Sequence, residues 1–304
     1  MYEKILVALD GSQLSEAILP YVRFIAAKLK VPLELLHVVD IEAPRSSSAE
    51  QQIRHQNVVA AEQRNSMNYL QKIAGSFADL GATDCVVEIG KPAEVIVDRA
   101  ARDARSLIAM TTHGRSGFNR WLLGSIADKV LHAAANPLLF VRATDESKNL
   151  TEPPLKSIMV ALDGSPLAEI VLPHAAELAE KMTVGVVLTR VFGVPTPMFA
   201  EEYGPYVEEL WEQVESEAHA YLDEKAKQLQ AQGLNNVSTT AEAGFASEKL
   251  IELAQQSGGT LLAMCTHGRS GVDRWVLGSV TDRVVRHLGG PVLIIRAPST
   301  AAAK

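Results

Sequence analysis

The residues best suited to chemistry lie in a glycine-rich stretch that occurs twice. Residues 113–125 read HGRSGFNRWLLGS, and residues 267–279 repeat ten of these thirteen residues. Glycines leave little side-chain bulk between the backbone amides and a ligand, and Gly124-Ser125 and Gly278-Ser279 each open a segment with helical periodicity. Amides that converge on a helix N-terminus favour an anion. The repeat therefore predicts a phosphate site in each half of the chain.

Charged residues in the repeated stretch leave two interpretations open. Arg115 and Arg120, with Arg269 and Arg274 in the second copy, flank the glycines and suit phosphate groups. The alternative is that the glycines only turn the chain and the arginines are solvated surface charge. Histidines 113 and 267 could act as general bases, but a packed or hydrogen-bonded histidine is more ordinary there. We therefore predict no catalytic residue and, at most, slow hydrolysis of a bound phosphate compound.

Composition limits the class of protein. The 304 residues suffice for two domains, 47% of them are hydrophobic, and no apolar run is long enough to cross a membrane. The net charge of −7, without a dense basic run, argues against nucleic acid as a partner. Cys85 and Cys265 are far apart and have no metal-ligand residues nearby in sequence. This pattern favours reduced thiols, no metal site, no leader peptide and a cytoplasmic location.

Each half has the pattern of five short strands alternating with four helices, which is typical of a doubly wound parallel sheet. The first-half strands are expected at Lys4–Leu9, Leu33–Val39, Asp84–Ile89, Leu107–Thr111 and Pro137–Val141. Their counterparts begin at Ser157, Gly185, Val237, Leu261 and Pro291. Ser12 is expected to cap a helix that runs to about Leu29. Polar loops at 43–55 and 195–206 are expected to lead into helices at 56–80 and 207–232.

Tandem duplication of one domain explains this pattern. Residues 157–165 repeat seven of the nine residues 4–12, and each copy ends its first strand with an aspartate, Asp10 or Asp163. Local turn hydrogen bonding is the alternative role for these aspartates. We predict a first domain at 1–143, a linker at 144–154, a second domain at 155–298 and a tail at 299–304.

Both halves resemble the universal stress protein domain over nearly their whole length. Its nucleotide-binding members carry a glycine, two residues, a second glycine, nine residues, a third glycine, and then serine or threonine. Gly114 with Gly124-Ser125, and Gly268 with Gly278-Ser279, fit the latter part of that motif. The resemblance implies two five-stranded parallel-sheet domains of strand order 3-2-1-4-5, an α/β fold like that of the adenine-nucleotide α-hydrolases. This order brings Asp10 and Asp163 beside the glycine loops, at the crevice where such sheets bind ligands.

The same resemblance implies ATP as the ligand, with Mg²⁺ as a potential companion. By position, the implied contacts with base, ribose and phosphates in the first half are Ala8, Asp10, Val38, Met110, Gly114, Gly124, Ser125 and Ile126. Those in the second half are Ala161, Asp163, Val191, Met264, Gly268, Gly278, Ser279 and Val280. Composition alone would assign the valines and methionines among them to the core.

Both halves depart from the motif at its first glycine, which is Thr111 in one and Cys265 in the other. If that position needs a positive φ or a close backbone approach, a β-branched threonine is the worse substitute. Thr281, where the first half has Ala127, adds a hydroxyl expected to lie beside the phosphates. We therefore expect the second site to bind better.

The leading hypothesis is a cytoplasmic stress-response regulator that binds ATP at one or both sites. The alternative is an interaction scaffold without nucleotide, in which the fifth strands, Leu138–Arg142 and Val292–Arg296, pair the two halves or form a homodimer. An adenylating enzyme of related fold is a third and weaker interpretation, because no additional catalytic domain accompanies the two halves.

Overall fold

The computed structural model describes residues 2–41, 48–112, 123–143, 155–193, 205–266 and 277–297. The chain divides into two compact units, Met1–Pro153 and Pro154–Lys304. The predicted linker, 144–154, and tail, 299–304, lie outside the described residues. Pairing of the halves through their fifth strands stays a prediction, as does a homodimer.

The first unit is a parallel sheet with helices between its strands. Its strands are β1 (Lys4–Ala8), β2 (Leu33–Val39), β3 (Thr83–Ile89), β4 (Ser106–Thr111) and β5 (Leu138–Val141). Its α-helices are α1 (Leu19–Leu29), α2 (Ala49–Gly75), α3 (Pro92–Ala101) and α4 (Ser125–Ala133). The strand order β3-β2-β1-β4-β5 confirms the order 3-2-1-4-5.

The second unit repeats the first, with one additional short α-helix, α5, after its first strand. Its strands are β6 (Ser157–Ala161), β7 (Gly185–Phe192), β8 (Val237–Ala243), β9 (Thr260–Cys265) and β10 (Val292–Ile295). Its helices are α5 (Pro166–Glu169), α6 (Val171–Met182), α7 (Pro205–Ala231), α8 (Ala246–Gln256) and α9 (Ser279–His287). In the order β8-β7-β6-β9-β10, each strand matches its first-unit counterpart.

The central strands of each sheet are buried on both faces because helices cover both sides. All six residues of β4 and all six of β9 are buried. Continuous apolar runs of this kind are typical of parallel strands. The core therefore holds the carboxyl ends of β1 and β4, and of β6 and β9, side by side.

The long helices begin earlier than the sequence predicted. Helix α2 starts at Ala49, not at 56, and α7 starts at Pro205, not at 207. At α2 the cause is a capping box, since the Ser48 hydroxyl accepts from the Gln51 amide while the Gln51 side chain accepts from the Ser48 amide. Much of the predicted polar loop at 43–55 is thus helical; residues 42–47 and 194–204 lie outside the described residues.

The prediction for the segment after β1 is confirmed in part, because the Ser12 hydroxyl accepts from the Ser15 amide at 3.2 Å and the helix ends at Leu29, but the helix is not continuous. A 3-10 turn at Ser15–Ile18 comes first, and α1 follows at Leu19 with no side-chain cap. In the second unit the prediction of Ser165 as N-cap before Pro166 is correct, because its hydroxyl accepts from the Ala168 amide at 3.2 Å. The proline fixes the backbone for α5, whereas Gln13 in the first unit does not.

An ionic network distinguishes the first unit. Glu34 on β2 is buried and accepts from Lys4 Nζ at 3.1 Å and from the Arg99 guanidinium, which also reaches Glu88. The equivalent of Glu34 in the second unit is Val187 on β7. Burial raises the pKa of Glu34, but the hydrogen bonds and charges of Arg99 and Lys4 outweigh it and leave the pKa below its usual range.

Candidate functional site

A cavity of about 450 Å³ opens at the carboxyl ends of the strands in the first unit. Seven of the eight predicted site residues line it: Ala8, Asp10, Val38, Met110, Gly124, Ser125 and Ile126. The eighth, Gly114, lies outside the described residues. A volume of this size is within the range of small-molecule sites. Strand order explains why these seven residues lie together: β1 pairs with both β2 and β4, so residues a hundred positions apart in sequence reach the same cavity.

The second unit has a smaller cavity, about 250 Å³, in the equivalent place. Its lining contains the corresponding seven predicted residues: Ala161, Asp163, Val191, Met264, Gly278, Ser279 and Val280. Gly268 lies outside the described residues. Two cavities built from matching positions therefore lie at the crevice between the first and fourth strands of each sheet.

The third motif glycines have a structural role that the sequence did not reveal. The Gly124 amide donates to the Thr112 carbonyl at 2.8 Å, and the Gly278 amide donates to the Thr266 carbonyl at 2.9 Å. These two amides are therefore engaged, contrary to the expectation that they face phosphates. The following amides, in the first turns of α4 and α9, have no intrahelical acceptor, which is the general feature by which helix ends attract anions.

The aspartate after each first strand makes a local turn, as the alternative interpretation predicted. Asp10 Oδ1 accepts from the Ser12 amide at 2.9 Å and from its hydroxyl at 2.6 Å. Asp163 Oδ1 accepts from the Ser165 amide at 2.9 Å and from its hydroxyl at 2.7 Å. Each aspartate also lines its cavity, so the turn fixes the carboxylate in place at the site.

We expect Ser165→Ala to lower the free energy of unfolding by about 1 kcal/mol, the usual cost of losing an N-cap serine. The Ser165 hydroxyl accepts from Ala168 and donates to Asp163, so both bonds are lost. Urea denaturation measures the change. Ser279→Ala is the matched control, since Ser279 is exposed and follows the N-cap of its helix; an equal loss there would contradict the capping role.

Neither the backbone at Thr111 and Cys265 nor the Thr281 hydroxyl gives the second site an advantage. Thr111 and Cys265 end β4 and β9, and among the described non-glycine residues only Lys30 and Thr183 have positive φ. The motif's first position therefore does not require a left-handed backbone here. Thr281 is buried and its hydroxyl donates to the Cys265 carbonyl at 3.1 Å, which directs it away from a phosphate role. The ranking of the two sites stays a prediction without these supports.

A tyrosine–glutamate hydrogen bond ties the long helix to the segment after the first strand in both units. Tyr69 donates to Glu16 at 3.1 Å, and Tyr221 donates to Glu169 at 3.0 Å. Burial raises the pKa of both tyrosines, and the neighbouring glutamates raise it further. Both phenols therefore stay protonated and act as donors.

Sequence reasoning missed the part of the first cavity supplied by the segment after β2 and by α2. Asp40, Ile41, Val58 and Glu62 line the cavity together with His37. Val58 and Glu62 are four residues apart and so share a helix face, but the sequence does not show which face of α2 meets the sheet. In the second unit no described residue of α7 lines the cavity.

The described residues also bear on metal binding and on membrane insertion. Across the described residues, no group of three or more histidine, cysteine or acidic side chains is placed to hold a metal ion. Among the helices described, none combines the length and apolarity that a membrane span requires.

Duplicated parallel sheets with a cavity at each switch point define a tandem of α/β domains suited to small ligands. The family model for the universal stress protein family matches residues 1–142 and again 154–296. The chain therefore belongs to the universal stress protein family, with two such domains in tandem.

Relatives with the same tandem arrangement are similar to this chain over almost its whole length. A universal stress protein of Mycolicibacterium smegmatis is 28% identical over 302 residues, covering 96% of each chain. One from Mycobacterium tuberculosis is 24% identical with the same coverage. The crystal structure of a universal stress protein from Archaeoglobus fulgidus matches with a TM-score of 0.66 at 18% identity, covering 97% of each chain, which supports the fold.

Proposed function

We propose that this chain is a stress-response regulator that binds ATP in the cavities of its two units and acts mainly without catalysis. The observation that carries the proposal is the matched pair of cavities, each lined by the aspartate, the two strand-end apolar residues and the helix N-terminus implied for nucleotide contact. Bound nucleotide would alter the affinity of the chain for a protein partner. Neither Cys85 nor Cys265 forms a disulfide, which is consistent with a protein that acts in the cytoplasm.

The apolar part of each cavity suits a purine. Val38 and Met110 line the first cavity from β2 and β4, the strands on either side of β1, and Val191 and Met264 line the second from β7 and β9, on either side of β6. Flat apolar surfaces bind a base, while the open helix N-terminus at Ser125 or Ser279 attracts its phosphates. The same cavity thus offers one apolar and one anion-binding end, as a nucleotide requires.

Calorimetric titration of nucleotide-stripped protein with Mg-ATP tests the proposal. Micromolar binding corresponds to about −8 kcal/mol and is readily measured. Val38→Trp and Val191→Trp each fill one cavity, and we expect each to weaken its own site at least about tenfold while sparing the other. Ile89→Trp is the matched control, because Ile89 is exposed at the end of β3 and is not part of either cavity lining.

A scaffold without nucleotide is the second candidate. It is favoured by the bonds from the Gly124 and Gly278 amides to strand-end carbonyls, because they give both glycines a structural reason to persist. The same titration decides between the two. The absence of heat and of competition at millimolar ATP would leave the scaffold.

A further inference from the structure

The two cavities share a scaffold but differ in charge. Three carboxylates line the first: Asp10 at the end of β1, Asp40 after β2 and Glu62 on α2. No lysine or arginine is among its described lining residues. At neutral pH carboxylates are negatively charged, so the described wall of the first cavity opposes a polyanion.

In the second cavity, Asp163 is the one acidic residue of the described lining. Gly193 takes the place of Asp40, and the described part of α7 adds no carboxylate to the wall. The loss of two negative charges leaves this cavity more tolerant of phosphate groups.

The second unit also has two cations around Tyr221 on its long helix. The Arg190 guanidinium lies 5.1 Å from the centre of the Tyr221 ring, and Lys225 Nζ lies 5.6 Å from it. Lys225 also binds Glu169 at 2.8 Å. Asp163 is close enough for its charge to act on the Tyr221 hydroxyl, where it contributes to the raised pKa after burial and Glu169. Both cations therefore lie around the Tyr221 ring, on side chains next to the described lining of the second cavity and not in it.

The first unit carries uncharged or weakly basic residues at the matching positions. His37 replaces Arg190 and faces Tyr69 edge-on, with ring centres 6.4 Å apart. Ile73, four residues after Tyr69, replaces Lys225, which is four residues after Tyr221. The two linings thus differ in their carboxylates, and the two units also differ in the cations around the tyrosine of the long helix.

We infer that the two cavities select nucleotides by charge: the first takes ATP whose phosphate charge is partly neutralised by Mg²⁺, and the second takes ATP with or without the ion. This inference rests on the proposed ATP binding. Repulsion between like charges grows as they approach in a partly enclosed site. Free ATP therefore meets a barrier at the first cavity that the magnesium complex largely avoids, whereas the second cavity lacks that barrier.

A thiol at one matched position reports on each cavity separately. Cys265 ends β9, lines the second cavity and is buried, and Thr111 is its counterpart at the end of β4 in the first. The wild-type chain reports on the second site, and Thr111→Cys combined with Cys265→Thr reports on the first. Methyl methanethiosulfonate labelling, located by mass spectrometry, is followed as ATP is added with Mg²⁺ or with EDTA. Cys85 on β3 is the internal control for reagent activity.

We expect the ATP concentration that half-protects the first-site thiol to rise at least about tenfold in EDTA. For Cys265 the rise should stay below about threefold. In the first-site reporter, the double substitution Asp40→Asn and Glu62→Gln should reduce this rise in the half-protecting ATP concentration to nearly the rise seen at the second site. Glu50→Gln is the matched control, since Glu50 is exposed on the same helix and is not part of the cavity lining.

Two other results separate failure of this inference from failure of the proposed function. Equal dependence on Mg²⁺ at both thiols would overturn the charge selection and leave ATP binding intact. If ATP protects neither thiol, with or without Mg²⁺, and calorimetry shows no heat, the proposed function itself fails and the inference fails with it.

Discussion

Gly278→Val should destabilise the second unit by about 3 kcal/mol, at the upper end of the usual cost of overpacking. A Cβ atom at Gly278 would lie 2.9 Å from the Thr266 carbonyl oxygen, a backbone atom that cannot move aside cheaply. The same carbonyl accepts the Gly278 amide, so a shift that relieves the clash also strains this hydrogen bond. A lower midpoint of urea denaturation with an unchanged slope would show the loss.

Gly289→Val is the control for that substitution. A Cβ atom at Gly289 meets nothing within 4 Å and the residue is exposed, so we expect a change within about 0.5 kcal/mol. Equal losses at both glycines would contradict the close approach at Gly278. The result also matters for ligand studies, because loss of ATP binding in Gly278→Val would reflect folding as much as phosphate contact.

Glu34→Gln should cost the first unit about 3 kcal/mol at pH 7, the usual result of removing one partner from a buried ion pair. Lys4 and Arg99 would keep their charges and lose the carboxylate between them. Thermal or urea unfolding of the two proteins measures the difference. Glu94→Gln is the control, since Glu94 and Lys91 form an ion pair exposed by 66% and 74% that is expected to contribute less than about 1 kcal/mol.

Acid should remove the difference between wild type and Glu34→Gln. The pKa of Glu34 is lowered in the folded protein, after the opposing effect of burial is outweighed by Arg99 and Lys4. Its contribution is therefore fully present above the unfolded value of about 4.3 and is lost as the pH falls through the lower folded value. A gap between the proteins that stays constant from pH 7 to pH 3 would contradict this account.

The repeats were the strongest guide to the fold. Two copies of a strand ending in an aspartate, each followed by alternating helices and strands, predicted the five-stranded sheets, and the resemblance to the universal stress protein domain supplied their strand order. Helix starts were harder, because a capping box such as that of Ser48 and Gln51 stabilises a helix within a segment whose polarity suggested a loop. Local hydrogen bonds thus decided what composition could not.

The candidate site was predictable where it follows from strand order and less so where it depends on packing. Asp10 and Ser125 gather at one cavity because their strands and helix meet at one edge of the sheet. Sequence reasoning missed Glu62, because helical periodicity identifies residues that share a face of α2 but not the element against which that face packs. Thr281 lines the second cavity as expected, but the sequence does not show that its hydroxyl already donates to the Cys265 carbonyl.

Covalent duplication frees this chain from a constraint that symmetry imposes on homodimers. When two identical chains assemble about a twofold axis, every substitution appears at both sites. Here each unit holds a complete cavity of its own, so Asp40 and Gly193, or His37 and Arg190, can differ within one molecule. The two cavities are always present in equal numbers, and each is free to diverge without altering the other.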